Sequence, residues 1–185
     1  VGYDFGLKHF LTADDGSTID SPEWYKTSLK KLRQAHRAVS RCQKGSNNRK
    51  RALCHLNRVY AKVSNRRRDW FFKLANQLVG EYAVICIEDL NLEAMKRLWG
   101  RKVSDYAFAE FVGILEYVAS RSGSAVIKID RWAPSSKVCH ICGGRNDALT
   151  LNDREWICPQ CGTHLDRDVN AAINIKNIGL AKLTA

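Results

Sequence analysis

The amino-acid sequence predicts an α/β fold built around a mixed sheet. Two short apolar runs, Tyr82–Ile87 and Ala125–Ile129, have the length and the β-branched content of strands that are buried on both faces. A helical segment separates them, and a strand–helix–strand succession implies a parallel crossover. A strand pair precedes these elements and a helical pattern follows them. With 185 residues, the chain is expected to form one domain with insertions.

The first twenty residues predict a hairpin. Val1–Ala13 is loosely alternating and apolar, Asp14–Gly16 supplies a turn, and Ser17–Asp20 is long enough for a short second strand.

Two long helical runs follow and predict an antiparallel helical hairpin over about residues 22–79. Pro22 stands where helices commonly begin, with Ser21 as a candidate cap, and the chain then contains no Gly or Pro up to Lys44. Gly45–Asn48 breaks this run, and a second one extends from Arg49 to about Val79.

The positive charge is concentrated in this hairpin. Lys26–Lys73 holds sixteen of the thirty Lys and Arg residues and a single acid, Asp69, whereas the whole chain carries a net charge of +11. The remainder of the chain is therefore net negative. Such a surface favours a polyanionic partner, DNA or an RNA–DNA duplex, with Arg66, Arg67 and Arg68 as the densest cluster. The alternative is a merely solvated helix face.

Aromatic residues directly follow this arginine cluster. Their helical spacing predicts packing against the sheet rather than stacking on bases, for Trp70, Phe71, Leu74 and Leu78.

The second half of the chain has three further segments. Leu92–Arg121 is predicted to be helical with an interruption near Gly100, and Ser122–Ser124 closes it. Residues 135–165 are punctuated by cysteines and have no period of their own. Asp168–Leu183 returns to a helical pattern.

Four cysteines predict a structural zinc site. Cys139 and Cys142 form one Cys-x-x-Cys pair, and Cys158 and Cys161 form a second after fifteen intervening residues. Four thiolates close the coordination shell, so no position remains for a catalytic water. Gly143 and Gly162 follow the pairs and let the backbone turn. The alternatives are two disulfides or four buried thiols, and His140 and His164 are interpreted as ordinary loop residues.

The other cysteines, Cys42, Cys54 and Cys86, are scattered and predict free thiols in a reducing compartment. No apolar stretch has the length of a membrane span, and charged residues interrupt the N-terminus where a signal peptide would be apolar. We therefore expect a soluble cytoplasmic protein without membrane contact, nucleoid-associated in a prokaryote.

Three acids stand at the ends of predicted core elements. Asp4 lies on the first strand, Glu88 ends a buried strand, and Asp168 opens the last helix. Their convergence would create a divalent-metal site. Each also has a simpler interpretation, as a turn residue, a loop acid and a helix cap, and periodicity alone cannot bring Asp4 and Asp168 together.

An ordered set of motifs resembles TnpB nucleases and type V CRISPR effectors. Gly2–Leu7 looks like their first RuvC motif, Ile87–Asn91 the second and Asp166–Ala172 the third. Pro134–Gly143 is similar to the segment that leads into their zinc ribbon. The resemblance implies an RNase-H-like (RuvC) core over 1–134, a zinc ribbon insertion over 135–165, and the final motif with its helix over 166–185.

The resemblance also implies a metal-dependent DNA endonuclease. Asp4, Glu88 and Asp168 match the acidic positions, with Asp89 and Asp166 as the nearest rivals. In that mechanism two Mg²⁺ ions lie about 4 Å apart, bridged by Asp4 and completed by the other two acids. Cleavage would be RNA-guided in the full assembly. Asn170, two residues beyond Asp168, would support the site or be a solvated helical residue.

Family members usually carry a region for the guide RNA and the target before the first motif, whereas three residues precede Asp4 here. The resemblance thus implies a fragment, a split component or an engineered core, with the guide bound through a missing region or a partner chain. Two other functions stay open. One is a catalytically silent nucleic-acid-binding module, which the intact acids disfavour. The other is a guide-independent RuvC-type resolvase, which the zinc ribbon and the basic hairpin disfavour.

Overall fold

The computed structural model describes residues 1–90, 100, 106–150 and 152–183. Its main sheet is mixed, as predicted, with the strand order β3-β2-β1-β4-β5. Strands β1, β2 and β3 pair antiparallel, whereas β4 pairs parallel with both β1 and β5. The strands are β1 (Gly2–Phe5), β2 (Leu11–Ala13), β3 (Thr18–Ile19), β4 (Val84–Glu88) and β5 (Ala125–Ile129).

The prediction of a single strand over Val1–Ala13 is wrong. Val1–Ala13 is two antiparallel strands, β1 and β2, separated by a bend, so the turn at Asp14–Gly16 joins β2 to β3. The bend is stabilised by Phe10, which is fully buried between the sheet and the helices and therefore continues the apolar pattern that suggested a single strand.

The helical hairpin is present as predicted. It consists of α1 (Trp24–Ser40) and α2 (Asn47–Glu81), which pack against each other through a small apolar cluster. Ser21 does not cap α1, because the residue before the helix is Glu23, which has a left-handed backbone with φ 47°. Ser46 caps α2 by accepting a hydrogen bond from the backbone amide of Arg49 at 3.2 Å.

The sheet is covered on both faces. On one face, α2 and α3 (Phe108–Ser122) enclose the main core, which contains Tyr3, Phe5, Ile85 and Ile87. On the other face, α4 (Arg167–Ala181) packs on Cys86 and Ile129 through Ile175. The first part of the predicted helix over Leu92–Arg121, including its interruption, lies almost wholly outside the described residues.

The cysteine-rich segment folds as a small unit beside α4. It contains two antiparallel strands, β6 (Glu155–Ile157) and β7 (His164–Asp166), whose Trp156 and Leu165 pack with Leu149 in a separate apolar cluster. Strand β7 ends one residue beyond the predicted ribbon boundary and leads directly into α4. No helix in the described ranges is long and apolar enough to cross a membrane.

Candidate active site and zinc site

The register of two parallel strands places Asp4 beside Glu88. Tyr3 of β1 pairs with Ile87 of β4, so the next residue on each strand is one of these acids. Successive side chains of a strand point to opposite faces. Tyr3, Phe5 and Ile87 belong to the core on the α2 side, so Asp4 and Glu88 face α4.

Helix α4 brings the third acid to the same edge. Asp168 lies in its first turn. The helix crosses β1 so closely that a Cβ added at Gly2 would lie 2.2 Å from the carbonyl oxygen of Ala172, which requires glycine at this crossing.

The three predicted acids line one cleft of about 520 Å³. Basic residues share its wall, namely Arg131, Lys137 and Arg167. The structure therefore joins acids from near the start, the middle and the end of the chain in a cleft with a basic rim.

Burial and the negative charge of neighbouring acids raise the pKa values of Asp4 and Glu88. Burial raises the pKa of Asp4 well above its usual range, and the negative charges of Asp168 and Glu88 raise it further. Burial also raises the pKa of Glu88 to about 7, with a contribution from Asp89. These directions follow from placing carboxylates together in a partly desolvated site.

Asp168 has two cationic neighbours. Nη2 of Arg167 lies 3.0 Å from one carboxylate oxygen and Nη1 of Arg154 lies 3.4 Å from the other. Only 15% of the Asp168 side chain is exposed, so these guanidinium groups compensate a largely buried charge.

The two rival acids make other contacts. Asp166 is the N-cap of α4, where it accepts hydrogen bonds from the backbone amides of Asp168 and Val169 at 2.9 Å each. Asp89 forms an ion pair with Arg131 at a partly exposed position. Neither rival lines the cleft.

The four predicted zinc ligands form a compact cluster. Their Sγ atoms all lie within 4.8 Å of one another, with 3.8 Å between Cys139 and Cys161 and 3.5 Å between Cys142 and Cys158. A tetrahedral Zn²⁺ with Zn–S bonds of about 2.3 Å has S–S edges of about 3.8 Å. All four cysteines are free thiols in this structure, with Cys139 and Cys158 buried and Cys142 and Cys161 exposed.

Gly143 and Gly162 turn the backbone after each cysteine pair, as predicted. Both have left-handed backbones, with φ 74° and 71°, and their amides donate to the carbonyl oxygens of Cys139 and Cys158 at 2.9 Å. A Cβ at either position would meet nothing within 4 Å. The requirement is thus for the left-handed φ and not for space.

Two buried asparagines join the ribbon to α4. Nδ2 of Asn170 donates to the carbonyl oxygen of Val138 at 2.8 Å and lies 3.4 Å from that of Ser135. Nδ2 of Asn174 donates to the same two oxygens at 2.6 and 2.7 Å. Asn170 is therefore not solvated, and Asn174 is a residue that sequence reasoning missed. Their i,i+4 spacing was the available signal.

Of the two histidines, His164 differs from its prediction, whereas His140 lies in a turn as predicted. The backbone amide of His140 donates to Oδ1 of Asn170 at 3.0 Å, and its Nδ1 lies at the same distance from that oxygen. His164 lies in β7 and not in a loop, with Nε2 3.3 Å from Glu155. His140 thus belongs to the contact between the ribbon and α4.

The arginine cluster on α2 divides into two kinds of side chain. Arg66 and Arg68 are exposed and lie over aromatic rings, each 5.8 Å from the ring centre of Trp24 and Phe72 respectively. Arg67 instead forms an ion pair with Glu110 of α3 at 2.9 Å. Its charge is engaged within the protein.

The aromatic stripe beside the cluster packs as predicted. Phe71, Leu74 and Leu78 are buried in the main core, and Trp70 packs against it. None of these four side chains is free to stack on bases.

Comparison with known proteins settles the family. A family model described as "Cas12f1-like, TNB domain" matches residues 108–175, and another, described as "Probable transposase", matches residues 1–98. The chain is a member of the TnpB and type V CRISPR effector family. It is 42% identical over 98% of its length to a protein of Streptomyces pristinaespiralis named "Putative RNA-guided DNA endonuclease".

Two further relatives match the chain over nearly its whole length. The chain is 32% identical over 95% of its length to "Putative RNA-guided DNA endonuclease Rv2885c" of Mycobacterium tuberculosis, and 28% identical over 99% to "Putative RNA-guided DNA endonuclease InsQ" of Escherichia coli. It covers 45% of the Streptomyces protein, 40% of the Mycobacterium protein and 50% of the Escherichia coli protein. The chain therefore spans about half or less of the length of these relatives.

Solved structures of type V effectors share the fold. The chain superposes on a chain of the "Cas12f1-sgRNA-target DNA complex" with a TM-score of 0.64, at 21% identity, covering 95% of this chain and 49% of that one. For the "CRISPR-Cas12f Ternary Complex" the TM-score is 0.68, at 21% identity, with 94% and 37% covered. The predicted RuvC-like α/β fold is confirmed.

Proposed function

We propose that the chain is the nuclease core of an RNA-guided DNA endonuclease, and that it hydrolyses DNA phosphodiesters in the cleft formed by Asp4, Glu88 and Asp168. The observation that carries this proposal is the convergence of these acids from β1, β4 and α4. The names of the relatives, "Putative RNA-guided DNA endonuclease" among them, support the same activity.

The residues of the cleft fit divalent cations in donor type and charge. Carboxylate oxygens are the ligands that Mg²⁺ prefers. Burial and, second to it, neighbouring negative charge raise the pKa of Asp4 and of Glu88, and a bound cation would favour the charged form of both. Only the cysteines, among the described residues, bring three or more ligand atoms within 4.8 Å of one another. The three carboxylates share the cleft without approaching one another that closely.

We assign the metal ligands as Asp4, Glu88 and Asp168, with Asp4 between the other two. Bound Mg²⁺ ions would supply polarisation of the scissile phosphate and of the attacking water. Arg131 and Lys137 on the cleft wall would orient the phosphate by charge. Arg167 holds the Asp168 carboxylate in place beside the cleft.

The remaining parts of the chain have supporting roles in this proposal. The cysteine cluster holds one structural Zn²⁺, and the Asn170 and Asn174 side chains join the ribbon to the helix that carries Asp168. The basic hairpin neutralises phosphates of DNA or of an RNA–DNA duplex. The guide RNA is bound with the help of a region outside this chain, as the sgRNA and target DNA named for the structural relatives suggest.

A cleavage assay tests the proposal. The purified chain is incubated with end-labelled single-stranded DNA in Mg²⁺, and cleavage products are followed over time. Asp4→Asn is the inactive control, because it preserves shape and removes the shared ligand. We expect cleavage by the parent and none by Asp4→Asn. DNA binding without cleavage by the parent, in the presence or absence of guide RNA, would favour a silent binding module.

A further inference from the structure

One large aromatic side chain lies in solvent at the edge of the cleft. Trp132 is 80% exposed, the largest exposed fraction among the large hydrophobic side chains that the structure describes. Folded proteins usually bury most of a tryptophan, because the indole has a large apolar area. The other described tryptophans, Trp24, Trp70 and Trp156, are each at least partly buried.

The backbone around Trp132 is held firmly. The amide of Trp132 donates to Oδ1 of Asp130 at 2.7 Å, and the amide of Ala133 donates to the carbonyl oxygen of Asp130 at 3.0 Å. Arg131 donates to Asp89, which directly follows the strand that ends in Glu88. The indole is therefore presented by a fixed turn.

This turn is part of the cleft. Its residues Arg131 and Ala133, on either side of Trp132 in the chain, both line the cleft with the three acids. Trp132 itself lines an adjoining depression of about 390 Å³, whose charged lining is three basic residues, Lys128, Arg131 and Lys182, and two acids, Asp89 and Asp130, for a net charge of +1. An exposed aromatic ring and positive charge are thus combined next to the acids.

We propose that Trp132 stacks on an unpaired base of single-stranded DNA whose backbone enters the cleft, an inference that rests on the proposed function. Aromatic side chains beside a basic groove bind single strands in this way, because each base has a π-face and each phosphate a negative charge. In a duplex the bases already stack on one another. The surface therefore selects an unpaired strand, without a preference for sequence.

Binding to bases and abasic sites tests the proposal. All variants carry Asp4→Asn, which prevents cleavage, and their affinities are measured for a single-stranded oligonucleotide and for one of equal length with abasic sites. We expect the Asp4→Asn chain to prefer the oligonucleotide with bases by about five- to hundredfold for one stacked base. Adding Trp132→Ala should abolish this preference, and adding Trp132→Phe should retain most of it.

Tyr117→Ala is the matched control. Tyr117 is a 53% exposed aromatic on α3 that does not line the cleft, so its removal should leave the preference unchanged. The proposal is overturned if the chain binds both oligonucleotides equally, or if Trp132→Ala keeps the preference. A preference that persists in Trp132→Ala is expected if Trp132 instead contacts another part of a longer protein. No cleavage is measured, so failure of the nuclease proposal would not affect this outcome.

Discussion

The carboxylate of Asp166 accepts a hydrogen bond from the backbone amide of Asp168 at 2.9 Å. The two acids of one motif therefore have different positions, since Asp166 caps the helix and Asp168 lines the cleft. This difference allows their roles to be separated by substitution.

We predict that Asp168→Asn abolishes cleavage, because an amide is a much poorer ligand for Mg²⁺ than a carboxylate. Asp166→Asn should keep both the cap and the cleavage, since Asn is a good N-cap residue. Asp166→Ala should lower the free energy of unfolding by about 1 kcal/mol. Cleavage rates and thermal melts of the three variants check this. An inactive Asp166→Asn with an active Asp168→Asn would move the assignment to Asp166.

The raised pKa of Glu88 predicts a pH-dependent stability of the metal-free protein. Its pKa is about 7 in the folded state and 4.5 in its ordinary state. Between these values the unfolded chain loses the proton while the folded chain retains it, so the free energy of unfolding falls as pH rises. Glu88→Gln should remove this part of the pH dependence.

Melts between about pH 4 and pH 8, without divalent cations, measure this effect. Asp69→Asn is the control, because Asp69 is an exposed carboxylate on α2 and pairs with Lys73. Mg²⁺ added at pH 8 should stabilise the parent more than Glu88→Gln. A parent whose stability does not fall over this range, or falls equally in Glu88→Gln, would contradict the prediction.

The parent should bind about one Zn²⁺ ion per chain, and Cys158→Ser should bind less zinc. The ribbon has only a small apolar cluster of its own, so we expect the loss of zinc to speed amide hydrogen exchange over Ser135–Leu165. Cys54→Ser, at an exposed position on α2, is the control and should keep the metal. A zinc-free parent with disulfides between these cysteines would refute the site.

The arginines of α2 should differ in their effect on DNA binding. Substitution of the exposed Arg66 and Arg68 by Ala should flatten the dependence of log affinity on log salt by up to about 0.9 for each lost duplex-phosphate contact. Arg67→Ala should change the slope little and destabilise the fold by about 1 kcal/mol, because it leaves Glu110 unpaired. Binding curves from about 50 to 200 mM salt decide this. Equal slopes for Arg66→Ala/Arg68→Ala and the parent would exclude these two residues as contacts.

Substitutions of Asn170 and Asn174 on α4 should have non-additive effects on the free energy of unfolding. Both donate to the carbonyl oxygens of Ser135 and Val138. When only one asparagine is replaced by Ala, each oxygen still accepts a hydrogen bond from the other. The double Ala variant removes every donor that the described residues provide to these two oxygens, at a cost of about 1 to 3 kcal/mol for each buried group. Its destabilisation should therefore exceed the sum of the single effects. Additive unfolding free energies in a double-mutant cycle would contradict this.

Local patterns predicted most of the fold. Strands β4 and β5, the helical hairpin and the cysteine cluster have periods or spacings that short stretches of sequence contain. The split of Val1–Ala13 into two strands was missed, because Phe10 is apolar at the bend and kept the pattern continuous.

The arrangement of the candidate site could not be predicted from periodicity, because it depends on strand register and tertiary packing. The neighbours Asp4 and Glu88 meet through a parallel register, and Asp168 joins them through the packing of α4. Asn170 and Asn174 were missed as anchors, because asparagine is usually exposed and buried polar residues cannot be inferred without their partners. The pairing of Arg67 with Glu110 is likewise a tertiary contact.

The order of the acids along the chain has a consequence for synthesis in the cell. Asp4 and Glu88 emerge from the ribosome well before Asp168, which belongs to the last helix that the structure describes. Until that helix has emerged and docked over Gly2, the nascent polypeptide lacks one wall of its cleft. A polysome translating this message would thus carry nascent chains whose proposed metal site lacks its third carboxylate until this helix has been synthesised.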